Sequence, residues 1–307
     1  MPRALVYSEF GDRSVMSLTE VDRVVAEAGQ VEVEVRAAGL NPFDVKLRSG
    51  IVPMPVEFPR CVGSDFAGTV TAVTDGSSYA DGTPISVGDD VMGWIETGSM
   101  RDQAAVSALA VTRKPESLHW ELAGALSAAA QTAQACIALM NPGVGDTVVV
   151  SAAAGAVGIV YCQLALAAGA RVIGTASEAN HEFLRSLGVE PLSYGPGLAD
   201  RLREITPEGI TLAQDNWGRD FIDTALELGV PADRICTIVD HAATAELGLA
   251  NPGRYERSSV TLGTLAARFA SGELVLPIER SFALSDFDAA FALLETRHLR
   301  GKVVVLP

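Results

Sequence analysis

At 307 residues the chain exceeds most single domains, so two domains, or one discontinuous domain with another inserted into it, are expected. Its 48% hydrophobic and 20% charged residues are those of a globular protein, and a net charge of −15 disfavours nucleic acid or an anionic membrane as partner. No run of about 18 apolar residues occurs, and the N-terminal MPRALVYSEF lacks the apolar core of a signal peptide, so a soluble, cytoplasmic protein without a membrane span is expected.

From residue 1 to about 111 short strands alternate with turns. Val31, Val33 and Val35 alternate with Glu32 and Glu34 as in a half-buried strand, a second strand is expected over 65–73 and a third over 90–94. Asn41-Pro42, Ser49-Gly50, Pro53, Pro55, Pro59, Asp75-Gly76 and Gly88-Asp89 punctuate this β-rich region. Around Pro115 the character changes, and 117–140, rich in Ala and Leu, predicts one or two helices ending before Asn141-Pro142-Gly143.

A βαβ unit follows over 146–176: a strand through Val148, Val149 and Val150, a small-residue turn over 151–158, an apolar helix to about Ala168 and a strand over 171–175. Helices near 178–187, 198–205 and 220–228 then alternate with strands near 190–194, 210–214 and 234–239, which implies a doubly wound parallel sheet. The chain closes with a helix over 260–271, an extended stretch over 273–282, an amphipathic helix over 286–296 and a terminal strand over 301–306. The four cysteines, Cys61, Cys136, Cys162 and Cys236, lack the paired spacing of a structural zinc site and read as reduced core residues; the four histidines are scattered, and no metal site is expected.

The turn after the first strand of the βαβ unit reads A-x-G-x-x-G, with Ala153, Gly155 and Gly158 at its three small positions. A dinucleotide diphosphate is held at such a turn by backbone N–H groups and by the positive end of the following helix. Gly155 allows the phosphate to approach the main chain, and Gly158 allows helix and strand to pack closely. The competing reading is a helix–strand junction that needs small residues only for packing.

Four local motifs in order, GLNPFDVKLRSG at 39–50, PRCVGSDFAG at 59–68, AAAGAVG at 152–158 and LRGKVVV at 299–305, resemble the zinc-independent quinone oxidoreductase branch of the medium-chain dehydrogenase/reductase superfamily. The resemblance runs over essentially the whole chain. It implies an α/β protein with a GroES-like β-rich catalytic domain, 1–122 and 266–307, around an inserted Rossmann domain with a doubly wound parallel sheet, 123–265, and the nicotinamide in the cleft between them. Zinc-dependent relatives carry a Cys near Asn41, a His-Glu pair at Ser64-Asp65 and a four-cysteine lobe after Gly93, all absent here. Relatives are commonly dimers, so a homodimer is expected.

The second βαβ strand ends at Ala176 without the acid that accepts from an NAD ribose, which favours NADPH. By resemblance Ser177, Asn180 and Tyr194 meet the 2′-phosphate, with Asn180 in place of the usual lysine, and Thr132, Ala154, Gly155, Ala156, Val157, Gly158, Asn216, Ile238, Val239 and Asp240 complete the cofactor site. Glu178 is also placed to reach a ribose 2′-OH, and Ser177 and Glu178 equally fit as the N-cap and first-turn acid of the next helix. Trp217 is placed either beside the cofactor or as a core tryptophan that anchors the surface.

In that branch hydride passes to an electron-poor carbon of a small-molecule quinone or enone, whose oxygen gains charge and needs donors. The motif supplies Asn41, facing the nicotinamide, and Lys46 as electrostatic stabiliser or proton source. Asp44 is expected to orient Lys46 or Arg48, or else to cap the turn after Asn41-Pro42, and Trp94 and Ile95 to line the substrate pocket. An enoyl or ketone reductase of secondary metabolism, and a nicotinamide-nucleotide-binding protein with little turnover, are the alternatives.

Overall fold

The computed structural model describes residues 1–307 apart from Pro53 and Arg254, so Pro53, one of the expected turn markers, lies outside the described residues. In chain order the elements are β1 (Arg3–Tyr7), β2 (Met16–Glu20), β3 (Gln30–Gly39), α1 (Pro42–Arg48), β4 (Arg60–Cys61), β5 (Asp65–Val73), β6 (Asp90–Trp94), β7 (Gln103–Ser107), β8 (Val111–Arg113) and α2 (Trp120–Met140). Then come β9 (Thr147–Val150), α3 (Ala156–Ala167), β10 (Arg171–Ala176), α4 (His181–Ser186), β11 (Glu190–Ser193), α5 (Leu198–Ile205), β12 (Leu212–Asp215), α6 (Arg219–Glu227), β13 (Ile235–Thr237) and α7 (His241–Leu247). The last four are α8 (Ser259–Ala270), β14 (Ile278–Ala283), α9 (Phe287–Glu295) and β15 (Lys302–Leu306). Contacts divide the chain into one unit of Met1–Gln131 with Arg257–Pro307 and a second of Thr132–Glu256, the first division falling inside α2.

The first unit is built on a sheet in the order β14-β15-β3-β5-β6-β8, with β7 also on β3, and a small sheet β2-β1-β4. Its core takes Val31, Val33 and Val35 from β3, Phe66 and Val70 from β5, and Val303 and Val305 from β15. The period-two alternation of β3 therefore points its valines inward as expected. The N-terminal half of α2 lies hard against β3. A Cβ on Gly39 would stand 2.7 Å from the Ala125 Cα, and one on Gly124 2.5 Å from the Ala37 oxygen, so only glycine permits this approach. By length and composition α2 is apolar enough to cross a membrane, yet 56% of its most apolar stretch is buried inside the protein, as in a core helix.

The second unit is a parallel sheet in the order β11-β10-β9-β12-β13. Val149, Ile173, Ala213 and Ile235, from four of its strands, form its core with Leu202 of α5 and Phe221 and Ile222 of α6. The order runs outward from β9 in both directions, so the loop leaving β9 stands at the reversal point where such sheets open a crevice.

Two short helices depart from the sequence expectations. Residues 42–48 form α1, and 241–247 form α7. Each has seven residues, too few to carry a periodic apolar stripe. Conversely the extended stretch expected from 273 begins pairing only at Ile278. All four cysteines are free; Cys136, Cys162 and Cys236 are buried, while Cys61 is only half-buried at the small sheet.

Candidate functional site

In the first unit a buried polar cluster forms where β3 ends and its two neighbours in the sheet, β5 and β15, begin. Lys302, 3% exposed, donates through Nζ to the Leu40 carbonyl at 2.8 Å and to Asn41 Oδ1 at 2.7 Å, and pairs with Asp65 Oδ2 at 3.7 Å. Asp65, fully buried, accepts from Asn41 Nδ2 at 3.0 Å and from the Ala128 N–H of α2 at 3.1 Å to both oxygens, and pairs with Arg257 at 3.4 Å. Burial pushes the Lys302 ammonium below its usual range, against the pull of Asp65 and Asp44. Asp65 and Lys302 were not among the expected site residues. Their one sequence signal is a charged side chain set into an apolar strand, which must find a partner when buried.

This cluster corrects two expectations. Asn41 is not a free donor: its amide oxygen takes Lys302, one amide hydrogen goes to Asp65, and Nδ2 lies 3.4 Å from the Gly39 carbonyl. Asp44 orients neither Lys46 nor Arg48. Its carboxylate accepts from the Asn41 backbone N–H at 2.8 Å, closing the first turn of α1, and Arg48 pairs instead with Glu295 at 2.6 Å. The turn-capping alternative is the one the geometry carries. Burial raises the Asp44 carboxyl to about 7, against the Asn41 hydrogen bond, which favours the charged form.

Lys46, two residues further along α1, is half-buried, and among the described residues its ammonium makes no hydrogen bond or ion pair. Partial burial, with repulsion from Arg297, lowers its affinity for a proton. Trp94 pairs in register with Asp65 across β5 and β6, and Ile95 donates its N–H to the Ser64 carbonyl; both pack on the core of the unit. Asn41, Asp65, Trp94 and Lys302 thus gather at one end of the large sheet.

In the second unit the turn between β9 and α3 adopts the conformation that its small residues predict. Ala152 takes a left-handed φ of 44°, and Gly155 is the extended N-cap of α3, with φ −74° and no side chain to cap it. The first-turn N–H groups of Ala156, Val157 and Gly158 have no partner within the helix and point out of its positive end. A Cβ on Gly158 would meet the Ala152 oxygen at 2.5 Å and the Ala153 Cα at 2.8 Å, so its glycine is what lets α3 sit on the turn.

Asp215, at the end of β12, ties the strand ends together. Its Oδ1 accepts from Ser151 Oγ, Trp217 N–H and Gly218 N–H, each at 2.9 Å, and its Oδ2 from Thr237 Oγ1 at 2.8 Å. Asn216 donates its N–H to Ser151 Oγ at 2.7 Å and its Nδ2 to the Ser151 carbonyl at 2.9 Å, holding the turn rather than reaching outward. Ile238 donates to the Asp215 carbonyl, Val239 and Asp240 donate to Thr237 Oγ1, and Asp240 caps α7 through the Ala243 N–H. Ser151, Asp215 and Thr237 escaped the sequence analysis because polar residues at strand ends carry no periodic mark.

Ser177 occupies an N-cap position, but its side chain caps nothing; it accepts from Asn180 Nδ2 at 3.2 Å, so these two expected residues meet. Glu178 is exposed. Thr132 Oγ1 lies 2.8 Å from the Tyr255 hydroxyl. Tyr194 stacks with Trp217, which is 46% exposed. Among the described residues no three His, Cys, Asp or Glu side chains gather to hold a metal ion.

Residues 27–134 match the model of the alcohol dehydrogenase GroES-like domain and residues 202–305 that of the zinc-binding dehydrogenase family. The chain belongs to the medium-chain dehydrogenase/reductase superfamily. Within it the likeness is to quinone oxidoreductases. The chain is 28% identical to a quinone oxidoreductase of Pseudomonas aeruginosa, covering 100% of both, and 29% identical to a chloroplastic NADPH-dependent alkenal/one oxidoreductase of Arabidopsis thaliana, covering 99% of this chain and 79% of that one. Its fold superposes on the quinone oxidoreductase of Coxiella burnetii with a TM-score of 0.89 at 27% identity, over 100% of this chain and 99% of the other.

Proposed function

We propose that this protein is an NADPH-dependent reductase of quinones or α,β-unsaturated carbonyl compounds that works without zinc. The observation that carries the reading is the uncapped N-terminus of α3 at the reversal point of the parallel sheet, opened by Gly155 and held in place by Ser151, Asn216 and Asp215. Its donors fit a dinucleotide diphosphate: free backbone N–H groups, the helix dipole, and no side chain at residue 155 to fill the cradle. At the end of β10 stand Ala176 and the Ser177–Asn180 pair; no carboxylate occupies the strand-end position itself, which supports NADPH over NADH, with the exposed Glu178 the competing ligand for a ribose 2′-OH.

When bound, the reduced nicotinamide supplies the hydride. The chain's own part is to hold the diphosphate at α3, to keep the turn rigid through Asp215, and to offer the acceptor oxygen a cation. Lys46 fits that last role, since among the described residues its ammonium has no partner and its proton is loosened by partial burial, whereas the Asn41 amide is committed to Lys302 and Asp65. The names of the Pseudomonas and Arabidopsis relatives carry the two acceptor classes proposed.

Rapid mixing of the full chain with NADPH, and separately with NADH, against a panel of quinones and enones tests this. Faster oxidation of NADPH with at least one acceptor is expected. Tight NADPH binding with no oxidation by any acceptor would leave only a nucleotide-binding protein, and a preference for NADH would overturn the cofactor assignment.

A further inference from the structure

Tyr7 and Arg60 stand opposite one another in the small sheet. β1 and β4 pair in the register that sets Tyr7 against Arg60, so the two side chains share one face of the strands. Both are buried, Tyr7 at 2% and Arg60 at 7% exposure. The Tyr7 ring is fixed edge-on against Phe58, with centroids 5.8 Å apart, and Phe58 against Phe10 at 5.3 Å. The Arg60 guanidinium reaches the Pro55 carbonyl through Nη1 at 3.4 Å, a long hydrogen bond. Yet among the described residues the Tyr7 hydroxyl and Arg60 Nε, both closed off from solvent, have no partner. Arg60 makes no ion pair among the described residues either.

Both groups line a small cavity, which Asp44 and Leu47 of α1 also line and which has room for about one water-sized group. Its donors decide what fits there. Tyr7 O–H and Arg60 Nε–H each have a hydrogen to give. Asp44 accepts from the Asn41 N–H through one oxygen, and burial raises its carboxyl to about 7, so at lower pH it is protonated and adds a third donor. Thr97, also on the lining, commits its hydroxyl to the Cys61 carbonyl. Glu96 lines the cavity too, but it is exposed and forms no ion pair with Arg60. A water could accept two of the hydrogens, yet it would leave a buried guanidinium without a counter-ion, which is strongly unfavourable. An anion accepts the same hydrogens and neutralises the charge as well.

We propose that Arg60 and Tyr7 hold one monovalent anion of halide size in this cavity. The site joins β1, β4 and α1, so the bound ion stabilises the first unit by offsetting the Arg60 charge. It does not depend on the dinucleotide assignment.

Thermal melts of the full chain at about pH 6, where Asp44 is protonated, test it, with chloride exchanged stepwise for the bulkier gluconate at constant ionic strength. The wild type should melt higher as chloride rises, along a saturating binding curve. Tyr7→Phe removes one hydrogen bond to a charged ligand and should weaken chloride by about 10- to 150-fold, and Arg60→Met should lose the dependence altogether. Bromide-soaked crystals of the wild type give a readout that needs no variant: an anomalous peak within hydrogen-bond reach of Arg60 Nε and Tyr7 Oη is expected. Wild-type melting that ignores chloride, the same chloride dependence in Arg60→Met as in the wild type, or a water in the cavity with no bromide peak would each overturn the site.

Discussion

Lys302 donates to Asn41 across 261 residues of sequence, with Nζ 2.7 Å from Oδ1, and that bond withdraws Asn41 from the donor role its motif suggests. Beyond it Asp65, fully buried, accepts from the other end of the same amide. Three side chains from β5, β15 and the residue that caps α1 therefore form one unit, in which the amide fixes the distance between two opposite charges.

Removing one member should cost more than removing the pair. Lys302→Met leaves the Asp65 carboxylate, among the described residues, with the partly exposed Arg257 at 3.4 Å as its one counter-ion, so a loss of about 3–5 kcal/mol is expected. Asp65→Asn should destabilise as well, and the double variant should be more stable than the sum of the single losses by over about 1 kcal/mol. Urea denaturation of the four proteins measures this. Strict additivity would mean that the two groups do not act on each other.

The Asp44 carboxyl predicts a pH dependence of stability. Its value is raised from 3.8 to about 7 in the folded protein, so the fold holds this proton more tightly than the unfolded chain does. Its contribution is then fully present below about pH 4 and is lost as the pH rises to about 7. Asp44→Asn stays neutral and can still accept from the Asn41 N–H. Relative to the wild type it should gain stability across that window, by at most about 1.4 kcal/mol per pH unit, and the difference should level off above pH 8 or so. Parallel urea-derived stability curves for the two proteins would contradict this.

The two glycines of the nucleotide turn should respond in opposite ways. Gly155 has an extended N-cap conformation, and a Cβ there would have the Ala152 oxygen at 3.2 Å as its nearest neighbour, a tight contact eased by a small shift, so Gly155→Asp should fold with stability within about 1 kcal/mol of the wild type. Its carboxylate would occupy the phosphate position, and NADPH affinity should fall by about 100-fold or more. Gly158→Ala, facing backbone atoms at 2.5 and 2.8 Å, should instead cost about 1–3 kcal/mol of stability. Thermal melts read beside NADPH titrations separate the two effects.

Lys46→Met tests the proposed cation. The side chain is half-buried and makes no ion pair among the described residues, so its loss should leave stability within about 0.5 kcal/mol. Turnover with the best acceptor should fall by about 100-fold with NADPH affinity unchanged. Wild-type turnover in this variant would remove Lys46 from the chemistry.

What the sequence carried well were features written within a few neighbouring residues. The strands over 65–73 and 90–94 and the helix over 198–205 stand where periodicity placed them, and the A-x-G-x-x-G turn leads into α3 as its small residues required. The short helix α1 was overlooked although its signals, Asn41 before Pro42 and an acid at Asp44, were all present, because seven residues give no apolar stripe to weigh against a turn.

The alternating pattern of apolar and polar residues, read along the chain, determined the two kinds of architecture and the position of the nucleotide turn, since burial of one face depends only on local spacing. Only the tertiary structure decided that Lys302 reaches Asn41, that Asp65 is the buried carboxylate between them, and that Tyr194 meets Trp217 above the sheet. The physical reason is that a polar or aromatic side chain is satisfied by whatever the sheet order brings beside it. That order places β15 next to β3, and two strands between β11 and β12.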